Sequence, residues 1–192
     1  VPPLILASTS RYRRSLLERI APPFEVVSPG VSEAPIGGET PRERAMRLSI
    51  AKARAVAERH PEAIVIGSDQ VAAAGQRMLD KPGDEPTCRV QLTALSGHTA
   101  NFYTGCAVIG INAGLQLEHL DTTTVTFRRL TEVEINRYVA REQPFDCAGG
   151  FKVEALGITL FESITSEDPT ALIGLPLIWL SSALRRAGYL LP

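Results

Sequence analysis

Apolar and polar positions along this chain fall into two periods, one suited to strands and one to helices. Leu4-Ile5-Leu6-Ala7 is a short apolar run that predicts a buried strand, and Ser8-Thr9-Ser10 behind it are three good helix N-caps. The helix they open is expected to reach about Ile20, with Leu16, Leu17 and Ile20 on one face. Pro22, Pro23, Pro29 and Gly30 bracket an extended piece around Phe24-Glu25-Val26-Val27. Thr40-Pro41-Arg42-Glu43 is a capping box with Pro at the first helical position. The helix behind it carries Ala45, Leu48, Ala51 and Ala53 toward Arg59, and Pro61 stops it.

Ala63-Ile64-Val65-Ile66, bounded by Pro61 and Gly67, predicts a central strand ending at Ile66. A hairpin around Gly75 follows over Val71–Leu79, then a helix over Asp84–Leu95. From His98 to Leu130 two long strands meet at Asn112-Ala113-Gly114. Thr131-Glu132-Val133-Glu134 is a second capping box, opening a helix to about Ala140. Ile158–Ile164 predicts a last strand, and Leu175–Ala187 a closing helix that begins with Pro176 and ends at Gly188. The strand–helix–strand opening makes this an α/β chain.

The 192 residues suit one domain or two closely joined lobes, and 44% hydrophobic residues supply a sizeable core. A net charge of −1 speaks against a nucleic-acid coat or a polybasic membrane binder. The charge is uneven: residues 1–60 hold ten basic and six acidic side chains, the remainder ten and fifteen. Of the basic residues 17 are arginine, and codon bias accounts for that excess; the three lysines are Lys52, Lys81 and Lys152. Cys88, Cys106 and Cys147 are odd in number and widely spaced, which suits a reducing cytoplasm better than a disulfide framework. The histidines have no metal-ligand spacing, no apolar run is long enough to span a bilayer, and Val1–Ala7 lacks the basic region of a signal peptide.

Four segments can carry chemistry. Arg11, Arg13 and Arg14 crowd the first turn of a helix, where cations oppose the dipole unless an anion sits there; plain capping by Ser10 with solvated arginines is the competing reading. Gly67-Ser68-Asp69-Gln70 follows a strand, so Asp69 either serves a metal or an activated water, or stabilises a turn. Glu33, in a loop, offers a second carboxylate or is simply solvated. Lys52 and Lys81 are compact charges suited to a polyphosphate. Gly149-Gly150 ahead of Lys152 and Glu154 allow a close backbone approach or mark a bend.

Together these segments resemble one family. Leu4–Leu17 (LILASTSRYRRSLL), Glu33, the Lys52 helix, Ile66–Gln70, Lys81-Pro82, Ser96-Gly97, Tyr103-Thr104-Gly105, Ala148–Gly157 and Gly174-Leu175-Pro176 are similar to the Maf nucleoside triphosphate pyrophosphatases. The resemblance spans essentially the whole chain. It implies one bilobal unit over residues 1–192, an inosine triphosphatase-like α/β fold with a mixed twisted sheet, flanking helices and a central cleft. It also implies a divalent cation, Mg²⁺ or Mn²⁺, and cleavage of a nucleotide to its monophosphate and pyrophosphate. A homodimer is compatible with it.

Tyr12, Gln70 and Glu154 resemble the branch that acts on 7-methyl-GTP, whereas the main branch prefers dTTP and UTP. The resemblance makes Asp69 the proton acceptor and Glu33 and Asp69 the metal ligands. Ser8, Arg13, Lys52 and Lys81 then bind phosphate, and Lys152 supports Glu154. N7-methylguanine is cationic, so stacking on Tyr12 gains a cation–π component of roughly 0.5–2 kcal/mol. Glu154 can accept from the guanine N1–H and N2–H₂ edge. The alternatives are dTTP or UTP hydrolysis, or a non-catalytic nucleotide-binding regulator of cell division.

Overall fold

The computed structural model describes all 192 residues. Three long strands form its spine: β3 (Ile64–Ala74), β5 (Thr99–Gly110) and β6 (Leu115–Phe127). β1 (Leu4–Leu6) lies parallel to β3, β2 (Glu25–Val26) is the short parallel edge beside β1, and β7 (Phe161–Thr165) closes the other edge against β6. β4 (Arg77–Leu79) folds back on the end of β3, completing a mixed seven-stranded sheet in the order β2-β1-β3-β5-β6-β7.

Five helices flank it: α1 (Arg11–Leu17), α2 (Pro41–Ala57), α3 (Glu85–Leu95), α4 (Glu132–Glu142) and α5 (Leu177–Arg186). Both capping boxes form, with Thr40 and Glu43 closing α2 and Thr131 and Glu134 closing α4. No helix is long and apolar enough to cross a membrane.

Three boundaries differ from the pattern-based expectation. β3 does not stop at Ile66: β5 keeps pairing with it from Val65 to Ala73, so Asp69 and Gln70 lie inside the strand. Gly67 reads as a breaker in sequence, yet it is a packing residue. A Cβ there would stand 2.3 Å from the Ser49 carbonyl oxygen on α2, and one on Gly105 would stand 2.4 Å from that of Ala45. The last strand begins at Phe161, because residues 156–160 coil into a 3₁₀ turn whose Gly157 packs on the Lys152 backbone. α1 ends at Leu17 and the chain unwinds through a turn toward Pro22.

The core divides along the long strands. At one end Leu4, Leu6, Ile64, Ile66 and Val108 face α1 and α5, while Ile5, Val65, Ala107 and Ile109 face α2 from the opposite side of the sheet. At the other end Phe102, Phe127, Phe151 and Phe161 pack edge to face, centroids 4.8–5.7 Å apart, with α3 and α4 residues around them. Such aromatic pairs add roughly 0.5–1.5 kcal/mol each beyond their buried area. They pin Phe151, and with it the segment that becomes a cleft wall.

Candidate active site

β1 stops at Leu6, opposite Ile66, while β3 continues. The next five residues of β3, up to the β4 pairing at Ala72, therefore have no strand on that side, and Ser8–Ser10 turn away into α1. A cleft of about 730 Å³ opens here, and a smaller cavity of about 140 Å³ adjoins it, with Tyr12, Arg13, Gln70, Lys81 and Asp146 in the wall common to both.

At the floor, close packing of α2 on Gly67 and Gly105 brings Lys52 against Asp69. Lys52 Nζ donates to Asp69 Oδ1 at 2.6 Å and lies 2.5 Å from Glu33 Oε1. Lys52 and Asp69 are buried, and the Glu33 side chain is 59% exposed. The Lys52 ammonium holds the Glu33 carboxyl below its ordinary value, outweighing the opposite effect of partial burial. Two carboxylates converging on one cation form a hard-oxygen donor set. Magnesium is usually held by one or two protein carboxylates plus phosphate and water, so the set fits such an ion. The chain has no cluster of three or more His, Cys, Asp or Glu side chains, here or elsewhere, so such an ion would rest on these two carboxylates with phosphate and water.

The three arginines of α1 diverge. Ser10 caps the helix by accepting from the Arg13 N–H, and Arg14 pairs with Glu18 on the surface. Arg13 alone turns into the floor, where Nε donates to the Gly174 carbonyl at 3.1 Å and Nη1 to Ser8 Oγ at 3.4 Å. Burial lowers its pKa while the charges of Asp69 and Glu33 oppose that, and a guanidinium stays protonated under such a load. The Gly174 carbonyl also accepts from Ser68 Oγ at 2.8 Å; a Cβ on Gly174 would stand 3.3 Å from Arg13 Cγ and Nε, and its φ of 132° is one that side-chain-bearing residues rarely adopt. Ser8 accepts from Arg13 and from the Ser10 N–H, so its own hydroxyl proton is available to a ligand.

Gln70 is fixed by its amide nitrogen, which faces Thr104 Oγ1 and the Ala171 and Leu172 carbonyls, each at 3.0 Å. That orientation assigns the amide oxygen the acceptor role toward the cleft. Lys81 stands exposed at the rim, common to both cavities.

At the far end Tyr12 is half buried. Its hydroxyl accepts from Arg11 Nη2 at 2.8 Å and donates to Asp146 Oδ2 at 3.4 Å, and the Arg11 guanidinium lies 4.9 Å from the ring centroid. Burial pushes the Tyr12 hydroxyl up to about 12, against the Arg11 hydrogen bond. Glu154 lines the smaller cavity with Tyr12 and Gln70.

All nine side chains singled out in the sequence thus meet in the two adjoining cavities: Ser8, Tyr12, Arg13, Glu33, Lys52, Asp69, Gln70 and Lys81 in the larger, Glu154 in the smaller. Lys152 does not join them. Its Nζ donates to the Glu142 carbonyl at 3.3 Å, at the C-terminus of α4, where a cation suits the helix dipole. Three cleft residues escaped the sequence reading. Arg44 lies two helical turns before Lys52, with Leu48 between, so a spacing of four along α2 would have found it. Asp146 and Cys147 directly precede the Ala148-Gly149-Gly150 turn and join the cleft with it.

A family model described as Maf-like protein matches residues 3–187. The chain belongs to the Maf family. Three relatives named 7-methyl-GTP pyrophosphatase are similar to this Maf protein over nearly their whole length. The one from Xanthomonas axonopodis pv. citri is 52% identical over 100% of both chains. That from Aromatoleum aromaticum is 53% identical over 98% of this chain and 97% of its own. That from a Polaromonas species is 52% identical over 97% and 85%. Among solved structures, the Staphylococcus aureus Ham1 protein superposes with a TM-score of 0.53 at 13% identity, covering 96% of this Maf chain and 99% of the other. At that identity the likeness concerns the fold, and it bears out the mixed α/β architecture expected from the sequence.

Proposed function

We propose that this Maf protein hydrolyses 7-methyl-GTP to 7-methyl-GMP and pyrophosphate. The observation that carries the reading is a pair of adjoining cavities, one built around the Lys52–Asp69–Glu33 cluster and the other reached by Tyr12, Gln70 and Glu154. Glu33, Arg44, Lys52 and Asp69 line the larger cavity alone, Glu154 lines the smaller alone, and Tyr12, Arg13, Gln70 and Lys81 stand in the wall between them. The names of the relatives, at about half identity over almost the full length, support the same substrate.

Ser8, Arg13, Lys52 and Lys81 bind the triphosphate and offset the charge that develops on it, which is the main protein contribution in phosphoryl-type transfer. Lys52 holds Asp69 Oδ1, leaving the second carboxylate oxygen to take a proton from the water that attacks the α-phosphorus as pyrophosphate leaves. Glu33 and Asp69 would hold a divalent cation, magnesium or manganese, which when bound adds charge neutralisation at the phosphates. Tyr12 stacks on the methylated base, where an arriving cation competes with Arg11 for the ring. Glu154 accepts from the guanine N1–H and N2–H₂ edge, and the Gln70 amide oxygen offers a further acceptor. Residues 1–192 act as one bilobal unit, and three free cysteines suit a cytoplasmic setting. A non-catalytic nucleotide sensor would have no need of a carboxylate aimed among three phosphate-binding cations.

Hydrolysis of 7-methyl-GTP in heavy-oxygen water with either metal tests the chemistry. Label is expected in 7-methyl-GMP and none in pyrophosphate, with Asp69→Asn slower by roughly 100-fold or more. Label in pyrophosphate, release of orthophosphate in its place, or near-normal turnover by Asp69→Asn would overturn the assignment.

A further inference from the structure

Asp146 has no part in the reaction so far, yet it lies in the wall common to both cavities. Its Oδ2 accepts from the Tyr12 hydroxyl, which fixes the carboxylate beside whatever lies on that ring. Its nearest cation is Arg11 Nη2 at 3.6 Å, on a side chain 72% exposed, while the Asp146 side chain is itself 54% exposed. An exposed pair of this kind is weak, so a cationic base that stacks on Tyr12 and excludes water can compete with Arg11 for the carboxylate. Burial acts to raise the Asp146 pKa. Hydrogen bonds from the Cys147 thiol and its own backbone N–H, with the charges of Lys152 and Arg11, carry it below the ordinary value, so the group is ionised at neutral pH. The neighbouring Cys147 thiol is pushed up to about 12 by burial and by Asp146, so it stays neutral.

The smaller cavity therefore holds two carboxylates, Asp146 and Glu154; Arg13, Lys81 and Lys152 lie near them, and Arg11 is the only cation within 4 Å of Asp146. We infer that Asp146 is a specificity-determining residue whose fixed carboxylate favours a purine bearing a positive ring charge over the same purine without it. The inference deepens the proposed reaction and rests on it. Glu154 pairs with an edge that guanine and 7-methylguanine share. The field of Asp146 acts on the charge that methylation at N7 adds, and on neutral guanine it has no net charge to attract.

The test compares kcat/KM for 7-methyl-GTP and GTP in the wild type, Asp146→Asn and Tyr12→Phe, at low and high salt. Asparagine keeps the shape and still accepts from Tyr12. Asp146→Asn is expected to lower 7-methyl-GTP about tenfold, mostly through KM, and GTP less than about twofold. Salt raised from about 0.05 to about 0.5 M should erode the wild-type preference and leave that of Asp146→Asn unmoved. Equal losses on both substrates, or an unchanged preference in Asp146→Asn, would overturn the inference while the proposed reaction stands. A matching loss in Tyr12→Phe would reduce Asp146 to a prop for the tyrosine and overturn it as well. A wild type with no preference for 7-methyl-GTP over GTP would overturn the proposed substrate and the inference together.

Discussion

Lys52 has an ammonium with three donors, two of them directed at Glu33 and Asp69 and one left for phosphate. An arginine fork is planar and longer, and the close seat of α2 on the sheet gives it no room to turn. Lys52→Arg is expected to lower kcat roughly 100-fold. Lys52→Met leaves Asp69 buried without its counter-ion, and removal of one partner of a buried pair costs about 3 kcal/mol. Urea denaturation of the two variants separates the effects, and a Lys52→Arg enzyme with normal turnover would refute the fit. At Cys147 a thiol pushed to about 12 reacts slowly with iodoacetamide at pH 8. Below its pKa the thiolate fraction grows tenfold per pH unit, so labelling should keep rising by about that factor to pH 10. A plateau near pH 8 would contradict it.

Among the elements, α2 does most to build the site, through two glycines on the strands beneath it. Gly67→Ala puts a methyl against the Ser49 carbonyl, which cannot retreat without lifting the helix. The expected cost is about 3 kcal/mol in urea unfolding, at the upper end for overpacking, with activity falling as Lys52 moves from Asp69. Equal stability would show that α2 is not seated as described. The capping box of α4 gives a pH signature. Hydrogen bonds from the Thr131 backbone and hydroxyl, then from Arg128, bring the Glu134 carboxyl down to about 2 from an ordinary 4.5. A depressed carboxyl stabilises the fold above its unfolded value, and that contribution fades as pH falls from 4.5 toward 2. Glu134→Ala should therefore lose less stability than wild type over that window, measured by urea midpoint.

These two elements also mark how much was legible in the sequence. The caps at Thr40 and Thr131 are local chemistry, fixed by residues three apart, and both helices begin where the sequence puts them. The length of β3 is not local: Gly67 looks like a stop until the helix that crosses it is known. Each site residue sits in a short motif of its own, and their convergence follows from β1 ending before β3. Asp146 was invisible because nothing in its own segment announces a ligand; its role comes from Tyr12, 134 positions away.

At the scale of the molecule, the net charge of −1 conceals a cleft rich in cations. Four of the five basic side chains that line it, Arg11, Arg13, Arg44 and Lys52, come from the first 60 residues, where the sequence placed its positive excess. The acidic groups at the base end, Asp146 and Glu154, come from the last third, held there by the phenylalanine cluster. A triphosphate meets the cations of the larger cavity, and a cationic base meets Asp146 and Glu154 in the smaller; an ordinary pyrimidine nucleotide brings only the first of these. The most direct test is pyrophosphate release from 7-methyl-GTP, GTP, dTTP and UTP in competition at equal concentration, with magnesium or manganese present. The account predicts that 7-methyl-GTP is consumed first, GTP lagging by about tenfold or more. Preferential consumption of dTTP or UTP would contradict it.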